Sequence, residues 1–383
     1  MPSNEQRITL SLSSLVGLLL AIPLLLLLWQ LRSLALLLMI AIVLATSIAP
    51  VVDWAERYRI PRWLGVVLTY LSILAVITGI GLLVGPTVVE QIERLLRQIP
   101  VSLKQVLEYA ETWIVAFNDE RPDFASELID QLIDVQGLTR WVIRSSQQLL
   151  IRSYGVTTGI LGGFFSLILA LFLSGYMLAD SRTLVNNFVR LLPQPWGDRI
   201  AAQVGPASNR MGSYIRSRLL VSTILALATT VSLSVLGLSD FALGLGAISG
   251  VTNLIPFLGP ILGAIPALVV AISQGGWTIL WVLILYVVIQ NLETYILDPL
   301  LVGSSVGIHP LYQLLAVLGG TQVLGIIGAL IVPPWIAGGA VLLENLYLRP
   351  KLMAERKQRS PQLTPKTPSM SEEPSPTAMI ADR

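Results

Sequence analysis

The residues best suited to chemistry in this sequence are polar side chains set into long apolar stretches. Five polar residues stand close together in the segment "VVIQNLETYILDPLLVGSSVGIHP", namely the amides Gln290 and Asn291, the hydroxyl residue Thr294 and the carboxylates Glu293 and Asp298. On a continuing helix at about 100° per residue, these side chains lie within roughly 160° of arc. A carboxylate inside a membrane span is costly and normally faces a cavity or a partner. Glu293 is therefore our leading intramembrane carboxylate for proton or cation coupling, and a structural hydrogen bond between helices is the alternative.

Two other polar residues of this segment are expected to have structural roles. Asp298 precedes Pro299 and is expected to cap a helix or lie at the membrane interface. His309 is the only histidine and precedes Pro310, so it is expected to anchor a loop or hairpin rather than bind a metal. The chain has no cysteine, no "HExxH" and no "GxxxxGK[ST]" segment. The sequence thus offers no thiolate, two-histidine zinc or P-loop site, and it predicts neither an enzyme nor a cofactor.

A second unusual stretch, "NLIPFLGPILGAIP", places helix breakers inside an apolar run. Its candidate pathway residues are Asn253, Pro256, Gly259, Pro260, Gly263 and Pro266. A proline in a helix interior costs about 3 kcal/mol, and glycine lowers the barrier to other conformations. Freed backbone groups at membrane depth must be buried in protein or line a wet cavity. Discontinuous helices of this kind point to a transporter's binding site. We therefore expect a functional re-entrant or unwound element here, with a simple kink as the alternative.

The elements that position these residues follow from the composition. Hydrophobic residues make up 54% of the chain and charged residues 13%, whereas soluble domains carry about 25% charged residues. Five stretches without formal charge are long enough for a helix to cross the bilayer, which takes roughly 20 residues: 8–31, 33–52, 63–89, 153–179 and 219–239. The first is longer than a signal peptide's apolar region and is expected to be a retained span.

Two further uncharged blocks, 241–292 and 299–343, are too long for single crossings. A helix over the first block would extend about 78 Å at 1.5 Å per residue. Either the two blocks supply three complete crossings, for eight spans in all, or each contains a re-entrant hairpin beside one full crossing. The predicted fold class is an all-α polytopic membrane protein with about eight hydrophobic helical segments, broken or re-entrant helices in the C-terminal half, and amphipathic surface helices.

The positions of Lys and Arg predict the orientation of these segments. The arginines near residues 57 and 182 and the basic tail are expected to be cytoplasmic, as are both termini of this multi-pass membrane protein. The predicted division has six parts: three spans (1–89), an exported amphipathic helical region (90–152), a fourth span (153–180), a cytoplasmic amphipathic segment (181–218), a C-terminal transmembrane core (219–349) and a disordered cytoplasmic tail (350–383). The net charge of +2 gives no reason to expect a nucleic-acid partner.

Three motifs resemble those of the AI-2E family of membrane proteins: "NLIPFLGPILGAIPALVVAISQGGW", "VIQNLETYILDPLLVGSSVGIHPL" and "LGGTQVLGIIGALIVPPWIAGGAVLLENLY". The resemblance covers about residues 8–350. It implies an integral inner-membrane protein that exports small molecules or exchanges ions, as a homo-oligomer. Autoinducer-2 and monovalent cations with protons are among the substrates proposed in the family. By position, the broken-helix and second motifs are matched by Asn253, Pro256, Gly259, Pro260, Pro266, Gln290, Glu293, Pro299, Gly303 and His309.

The leading functional prediction is a secondary transporter that exports a small polar molecule, with an autoinducer-2-like signal as a candidate. Its expected partners are membrane lipid, a small-molecule or ion substrate and further copies of the chain. One alternative is a monovalent cation/proton antiporter. Another is a non-transporting membrane scaffold that docks partners on its exported helices and tail. Deleting residues 360–383 separates the classes, because a scaffold would lose partners and a transporter would keep its flux.

Overall fold

A computed structural model describes residues 30–117, 165–303, 307 and 309–359. The predicted first span, the exported helix after residue 117 and the tail beyond residue 359 lie outside this part. Within these ranges every regular element is helical. Five helices are long and apolar enough to cross a membrane, and a sixth crossing results if Phe165–Ala179 and Ser181–Arg190, bent by 81°, form one span. The predicted class, an all-α multi-pass membrane protein, is confirmed.

From Phe165 to Arg359 the described helices follow one another along the chain, and two helices precede them. We number them α1 (Arg32–Arg57), α2 (Arg62–Phe117), α3 (Phe165–Ala179), α4 (Ser181–Arg190), α5 (Trp196–Val235), α6 (Ser239–Thr252), α7 (Leu258–Gln274), α8 (Thr278–Leu292), α9 (Pro310–Leu343) and α10 (Arg349–Arg359). Two π-helices interrupt this series. The first, Glu293–Gly303, continues α8, and the second, Glu344–Leu348, joins α9 to α10.

Helix α2 is longer than the predicted span. The first part of the predicted exported amphipathic region, up to residue 117, is continuous with the third span in a single helix of 56 residues. At about 1.5 Å per residue it extends roughly 84 Å, well beyond a ~30 Å apolar layer. Its later part packs on the hairpin formed by α6 and α7. Gln91 Oε1 accepts from the Gly244 backbone N–H (2.7 Å), and Gln98 Nε2 donates to Ser273 Oγ (2.6 Å).

Helices α6 and α7 form the first hairpin. They contain 14 and 17 residues, so their lengths are about 21 and 25 Å. Each is shorter than the ~30 Å hydrocarbon layer that a full crossing requires. The longer helix that follows, Thr278–Gly303, is long and apolar enough to cross. These lengths favour a re-entrant hairpin beside one full crossing in the first apolar block, one of the two layouts that the sequence allows.

Helix α9 forms the second hairpin, which turns at Gly325 (φ 65°, ψ −153°). A Cβ placed on Gly320 would lie 3.1 Å from the Val332 Cβ, although twelve residues of straight helix span about 18 Å. The chain therefore folds back on itself, with arms 310–324 and 326–343. Pro333 and Pro334 are buried inside the second arm. The turn thus falls at a glycine with positive φ, which glycine adopts readily, and not at the proline pair.

Helix α5 lies at the centre and contacts α1, α6, α8, α9 and both π-helices. It is 40 residues long and continuous across residue 218, where the sequence divides a cytoplasmic segment from the core. Near the start of α4, which packs on α5, Arg62 Nη1 pairs with Glu56 (2.8 Å), and Arg62 Nε donates to the Leu178 carbonyl (2.9 Å). Arg182 also pairs with Glu56 (3.4 Å). The arginine-rich segments near residues 57 and 182 thus meet at one end of the molecule, here called the basic end.

Candidate functional site

Arg218 of α5 joins the two carboxylates of the first π-helix. Its Nη2 donates to Glu293 Oε1 (2.9 Å), and its Nη1 donates to Asp298 Oδ1 (3.1 Å). The exposed fractions of the three side chains are 2% for Arg218, 4% for Glu293 and 37% for Asp298. Buried charges are tolerated when they are paired and hydrogen-bonded. Arg218 is therefore the partner that allows Glu293 to be buried among apolar helices, and we call the three residues the charged triad.

The π-helix explains why both carboxylates reach the same arginine. Residues five apart, such as Glu293 and Asp298, would be separated by about 140° on an α-helix. In a π-helix the backbone bonds join residues five apart, so these positions come onto one side. Pro299, inside this segment, has no backbone N–H to give to an α-helical ladder. Ser217 Oγ donates to the Leu301 carbonyl (2.5 Å) and secures the widened turn to α5.

Several buried polar atoms of the triad and of two other predicted site residues lack a hydrogen-bond partner among the described residues. They are Arg218 Nε, Glu293 Oε2, Asn253 Oδ1 and Gln290 Oε1. An unsatisfied buried donor or acceptor costs about 1–3 kcal/mol, and such groups in native proteins commonly meet a water or an ion. Within the triad, the unpaired acceptor Glu293 Oε2 and the unpaired donor Arg218 Nε are suited to a small ligand that carries hydroxyl groups. In the described part of the chain no cluster of three or more acidic, histidine or cysteine side chains could hold a metal.

The tip of the first hairpin reaches the level of the triad. Along α6, Gly246 packs beside Ala226 and Thr230, while Gly250 packs one turn earlier on α5, beside Ser222 and Ala226. Ser222 Oγ donates to the Gly250 carbonyl. The two helices therefore run antiparallel, and this register brings Asn253 to the level of Arg218. Asn253 is 4% exposed, so its unpaired carbonyl oxygen faces the protein interior at that level.

The broken stretch is unwound over a shorter length than the spacing of its breakers suggests. Only residues 253–257, which include Pro256, are non-helical, and Phe257 has a φ of 65°. Pro260 lies in the first turn of α7, where a proline needs no intrahelical donor. Pro266 lies inside α7 without ending it. The polar groups of the break are therefore concentrated at the hairpin tip.

Gly259 and Gly263 have a different role from the predicted loosening of the helix. Both are helical residues of α7 that face α6. A Cβ on Gly259 would lie 2.6 Å from the Asn253 Cα, and a Cβ on Gly263 would lie 3.1 Å from the Ser249 Cα. The two glycines thus permit the arms of the hairpin to touch. Tyr286 of α8 fixes this pair from outside, because its hydroxyl bonds with Ser249 Oγ (3.0 Å) and donates to the Gly263 carbonyl (3.1 Å).

Other predicted site residues do not bond to the triad in the described structure. Gln290 Nε2 donates to Thr294 Oγ1 (3.1 Å), and Asn291 Nδ2 donates to the Val287 carbonyl (2.7 Å). Asn291 and Thr294 are exposed on the outside of the protein. His309 caps α9, where its Nδ1 accepts from the Leu311 backbone N–H (3.2 Å). Asp298, expected at a cap or at the interface, lies inside the first π-helix and binds Arg218.

Arg218 is the site residue that sequence reasoning missed. It closes a run of six arginines between residues 180 and 218, so it was grouped with the cytoplasmic charges of that segment. Its position directly before the uncharged stretch 219–239 was the available signal. An arginine at this border can face the protein interior and pair with an acid from another span.

Comparisons with known proteins extend over most of the chain. The profile of the AI-2E family transporters matches residues 17–356. YrrI of Bacillus subtilis (strain 168) is 32% identical over 311 residues, 78% of this chain and 82% of YrrI. The AI-2 transport protein TqsA of Escherichia coli (strain K12) is 24% identical over 297 residues, 77% of this chain and 81% of TqsA. The sodium-lithium/proton antiporter of Halobacillus andaensis is 23% identical over 308 residues, 77% of this chain and 85% of that protein.

Proposed function

The chain belongs to the AI-2E family of membrane transporters, and we propose that it is a secondary transporter that exports a small polar molecule. The observation that carries this proposal is the charged triad, buried between membrane helices beside the unwound tip of the first hairpin. Substrate sites of many transporters lie where helices are broken inside the membrane. The break at Asn253, at the level of Arg218, supports a substrate site of this kind here.

The chemistry of the unpaired atoms supports a hydroxyl-bearing solute. The oxygens Glu293 Oε2 and Asn253 Oδ1 can accept hydrogen bonds from a solute, while Arg218 Nε can donate one. A small polyol or sugar-like molecule both donates and accepts through each hydroxyl group. An autoinducer-2-like signal belongs to this chemical class, and TqsA, a relative over 77% of the chain, is named for AI-2 transport. We therefore place this class first among the candidate substrates.

A monovalent cation/proton antiporter is the second candidate. The triad holds one arginine and two carboxylates, so with all three ionised it carries one excess negative charge. Buried charge is stable when it is balanced, and one monovalent cation or proton would supply the balance at Glu293 or Asp298. The relative from Halobacillus andaensis is named a sodium-lithium/proton antiporter. This candidate makes Glu293 the coupling group.

The proposal includes a location and an assembly. By the positive-inside rule the basic end faces the cytoplasm of an inner-membrane protein, which places the base of the first hairpin on the outer side and both termini in the cytoplasm. We also propose a homo-oligomer, in line with the large apolar side chains exposed along α2, such as Leu74, Ile77 and Leu83. Membrane lipid or a neighbouring copy would cover them.

The test is flux in liposomes that contain the purified protein, with autoinducer-2, Na⁺ or K⁺ supplied on one side under an imposed pH gradient. Movement of autoinducer-2 without a requirement for Na⁺ or K⁺ would support the exporter. Proton release on addition of Na⁺ or K⁺, abolished by Glu293→Gln in a folded protein, would support the antiporter. If well-folded protein moves none of these solutes, the transport proposal for them fails, and the non-transporting scaffold becomes the favoured function.

A further inference from the structure

Three polar side chains form a row along one face of α5. Arg210, Tyr214 and Arg218 recur every four residues, a spacing that stacks side chains on one side of an α-helix. Each contacts a polar group from the C-terminal half of the chain. Arg210 Nη1 lies 3.7 Å from Glu344 Oε2, the Tyr214 hydroxyl accepts from Gln313 Nε2 (3.4 Å), and Arg218 binds Glu293 (2.9 Å).

Exposure falls along this row toward the triad. The exposed fractions of the Arg210 and Glu344 side chains are 27% and 41%. Tyr214 and Arg218 are each 2% exposed. The row covers about 12 Å of helix, and Arg210 lies in the part of α5 nearer the basic end, before the uncharged stretch 219–235. A solute that follows the row would pass from an exposed ion pair, across a buried tyrosine, to the charged triad.

The two acids at the ends of this row occupy equivalent places in the chain. The segments "LETYILDPLL" (292–301) and "LENLYLRPKL" (343–352) share a Leu-Glu start, a leucine four residues after the glutamate and a proline two residues later. In each, the glutamate begins a π-helix after an apolar helix. Each glutamate also pairs with an arginine of α5. Glu344 is therefore a more exposed counterpart of Glu293.

We propose that the row is the access path to the triad, with Glu344 and Arg210 as its outer binding station and the Tyr214–Gln313 pair as its gate. This inference rests on the proposed transport function and assigns it a route. The gate is closed here by one long hydrogen bond between neutral groups, which water or a hydroxylated solute can replace without leaving a charge unpaired. The outer station offers both a cation and a carboxylate, as the inner one does, so the same polar solute fits both.

The gate is also connected to the hairpin tip. Gln313 lies one helical turn before Val317, which is fully buried against Ile255 of the first hairpin tip and Ala329 of the second hairpin. A displacement of the tip at Asn253 would therefore shift the arm that carries Gln313. This contact gives the inner site a direct mechanical link to the gate that controls access to it.

The path can be tested by thiol labelling, because the chain has no cysteine of its own. Gln313→Cys and Met211→Cys would each be labelled in liposomes with a membrane-impermeant cationic methanethiosulfonate. Met211 belongs to the same stretch of α5 but is 5% exposed, in an apolar cluster with Val43 and Ile331. We expect Gln313→Cys to react at least ten times faster than Met211→Cys, and only from the side of the basic end. Equal rates, or equal labelling from both sides, would overturn the path.

A second measurement does not depend on a cysteine at the gate. Glu344→Gln should raise the KM for the transported solute several-fold and leave the maximal rate unchanged, because it weakens capture outside the gate. Glu355→Gln, an exposed acid on α10 paired with Lys351 (4.0 Å), is the matched control and should match the wild type. A Glu344→Gln variant with wild-type KM would overturn the outer station. Labelling needs no flux, so its result decides the path even if the wild type moves no tested solute.

Discussion

At the scale of single residues, Arg218 determines what Glu293 can do. Replacing a buried ion pair by apolar groups is often neutral or stabilising, so a buried pair is weak evidence of a stabilising role. The chain nevertheless places three ionisable groups between membrane helices and leaves Arg218 Nε and Glu293 Oε2 without partners in the described structure. Burying these groups with unpaired atoms costs folding free energy. Binding of a solute by the triad during transport, the role we propose for it, would account for this cost.

The first prediction concerns the cost of breaking the triad. Arg218→Met should lower the free energy of unfolding by roughly 3–5 kcal/mol, because it leaves Glu293 buried without its counter-ion. Arg94→Met is the control, since Arg94 pairs with Glu90 on an exposed face and such pairs contribute about 0–1 kcal/mol. Denaturant unfolding in detergent micelles would measure both. Equal losses in the two variants would contradict the assigned role of Arg218.

At the scale of elements, the C-terminal half contains two helical hairpins in addition to the two π-helices. Both depend on close backbone contact between their arms, at Gly259 and Gly263 in the first hairpin and at Gly320 and Gly328 in the second. The tip of the first hairpin also meets the arms of the second, since Ile255 packs against Val317 and Ala329. The hairpins therefore form one connected unit beside α5. A change at the first tip would be transmitted to the second hairpin through these contacts.

The second prediction uses two adjacent glycines of α9. Gly320→Ala should destabilise the protein by roughly 1–3 kcal/mol, the usual cost of overpacking. Its new Cβ would lie 2.7 Å from the Gly328 carbonyl carbon. A Cβ on Gly319 would have no neighbouring atom within 4 Å. Gly319→Ala should therefore be neutral or stabilising by about 0.5–1 kcal/mol, since alanine suits a helix better than glycine. Thermal unfolding of both variants would decide. Matching stabilities would argue against the folded-back second hairpin.

Much of this element layout follows from local sequence, and part of it does not. The uncharged runs predict a multi-pass all-α protein, because only helices of that length satisfy their backbone in lipid. The breakers around Asn253 predict an interruption there. The same reasoning predicts that Gly259 and Gly263 loosen their helix. It misses their contact with α6, because that contact forms only when the chain folds back. The pairing of Arg218 with Glu293 joins residues 75 positions apart, and helical periodicity carries no information at that distance.

At the scale of the whole molecule, the charge distribution and the helix contacts indicate the same two ends. The arginine-rich segments near residues 57 and 182 meet at the basic end through Glu56. The region after residue 89, which carries Glu90 and Glu93, packs on the base of the first hairpin at Gly244 and Ser273. The triad lies about 26 Å from the end of α5 at Val235. The triad therefore lies at the border of the uncharged stretch 219–239, on the side of the basic end, and not at the middle of that stretch.

The third prediction tests this layout. Tyr58 lies in the loop at the basic end and Trp277 beside the turn that follows α7, and both are well exposed. Tyr58→Cys and Trp277→Cys should be labelled by an impermeant maleimide from opposite sides of the membrane. In whole cells we expect Trp277→Cys to react and Tyr58→Cys to require permeabilised cells, in line with a cytoplasmic basic end. Labelling of both from one side would contradict the arrangement of spans.

The measurement that tests the central claim most directly is solute flux by the wild type, Glu293→Gln and Glu90→Gln in the same liposomes. Glutamine keeps the shape of Glu293 and removes its charge, whereas Glu90 is exposed on α2 and serves as the control. If the charged triad carries transport, Glu293→Gln should lower flux at least about tenfold, which corresponds to a transport barrier raised by roughly 1.4 kcal/mol or more, and Glu90→Gln should retain the wild-type flux. Wild-type flux from an equally stable Glu293→Gln protein would show that the triad is structural.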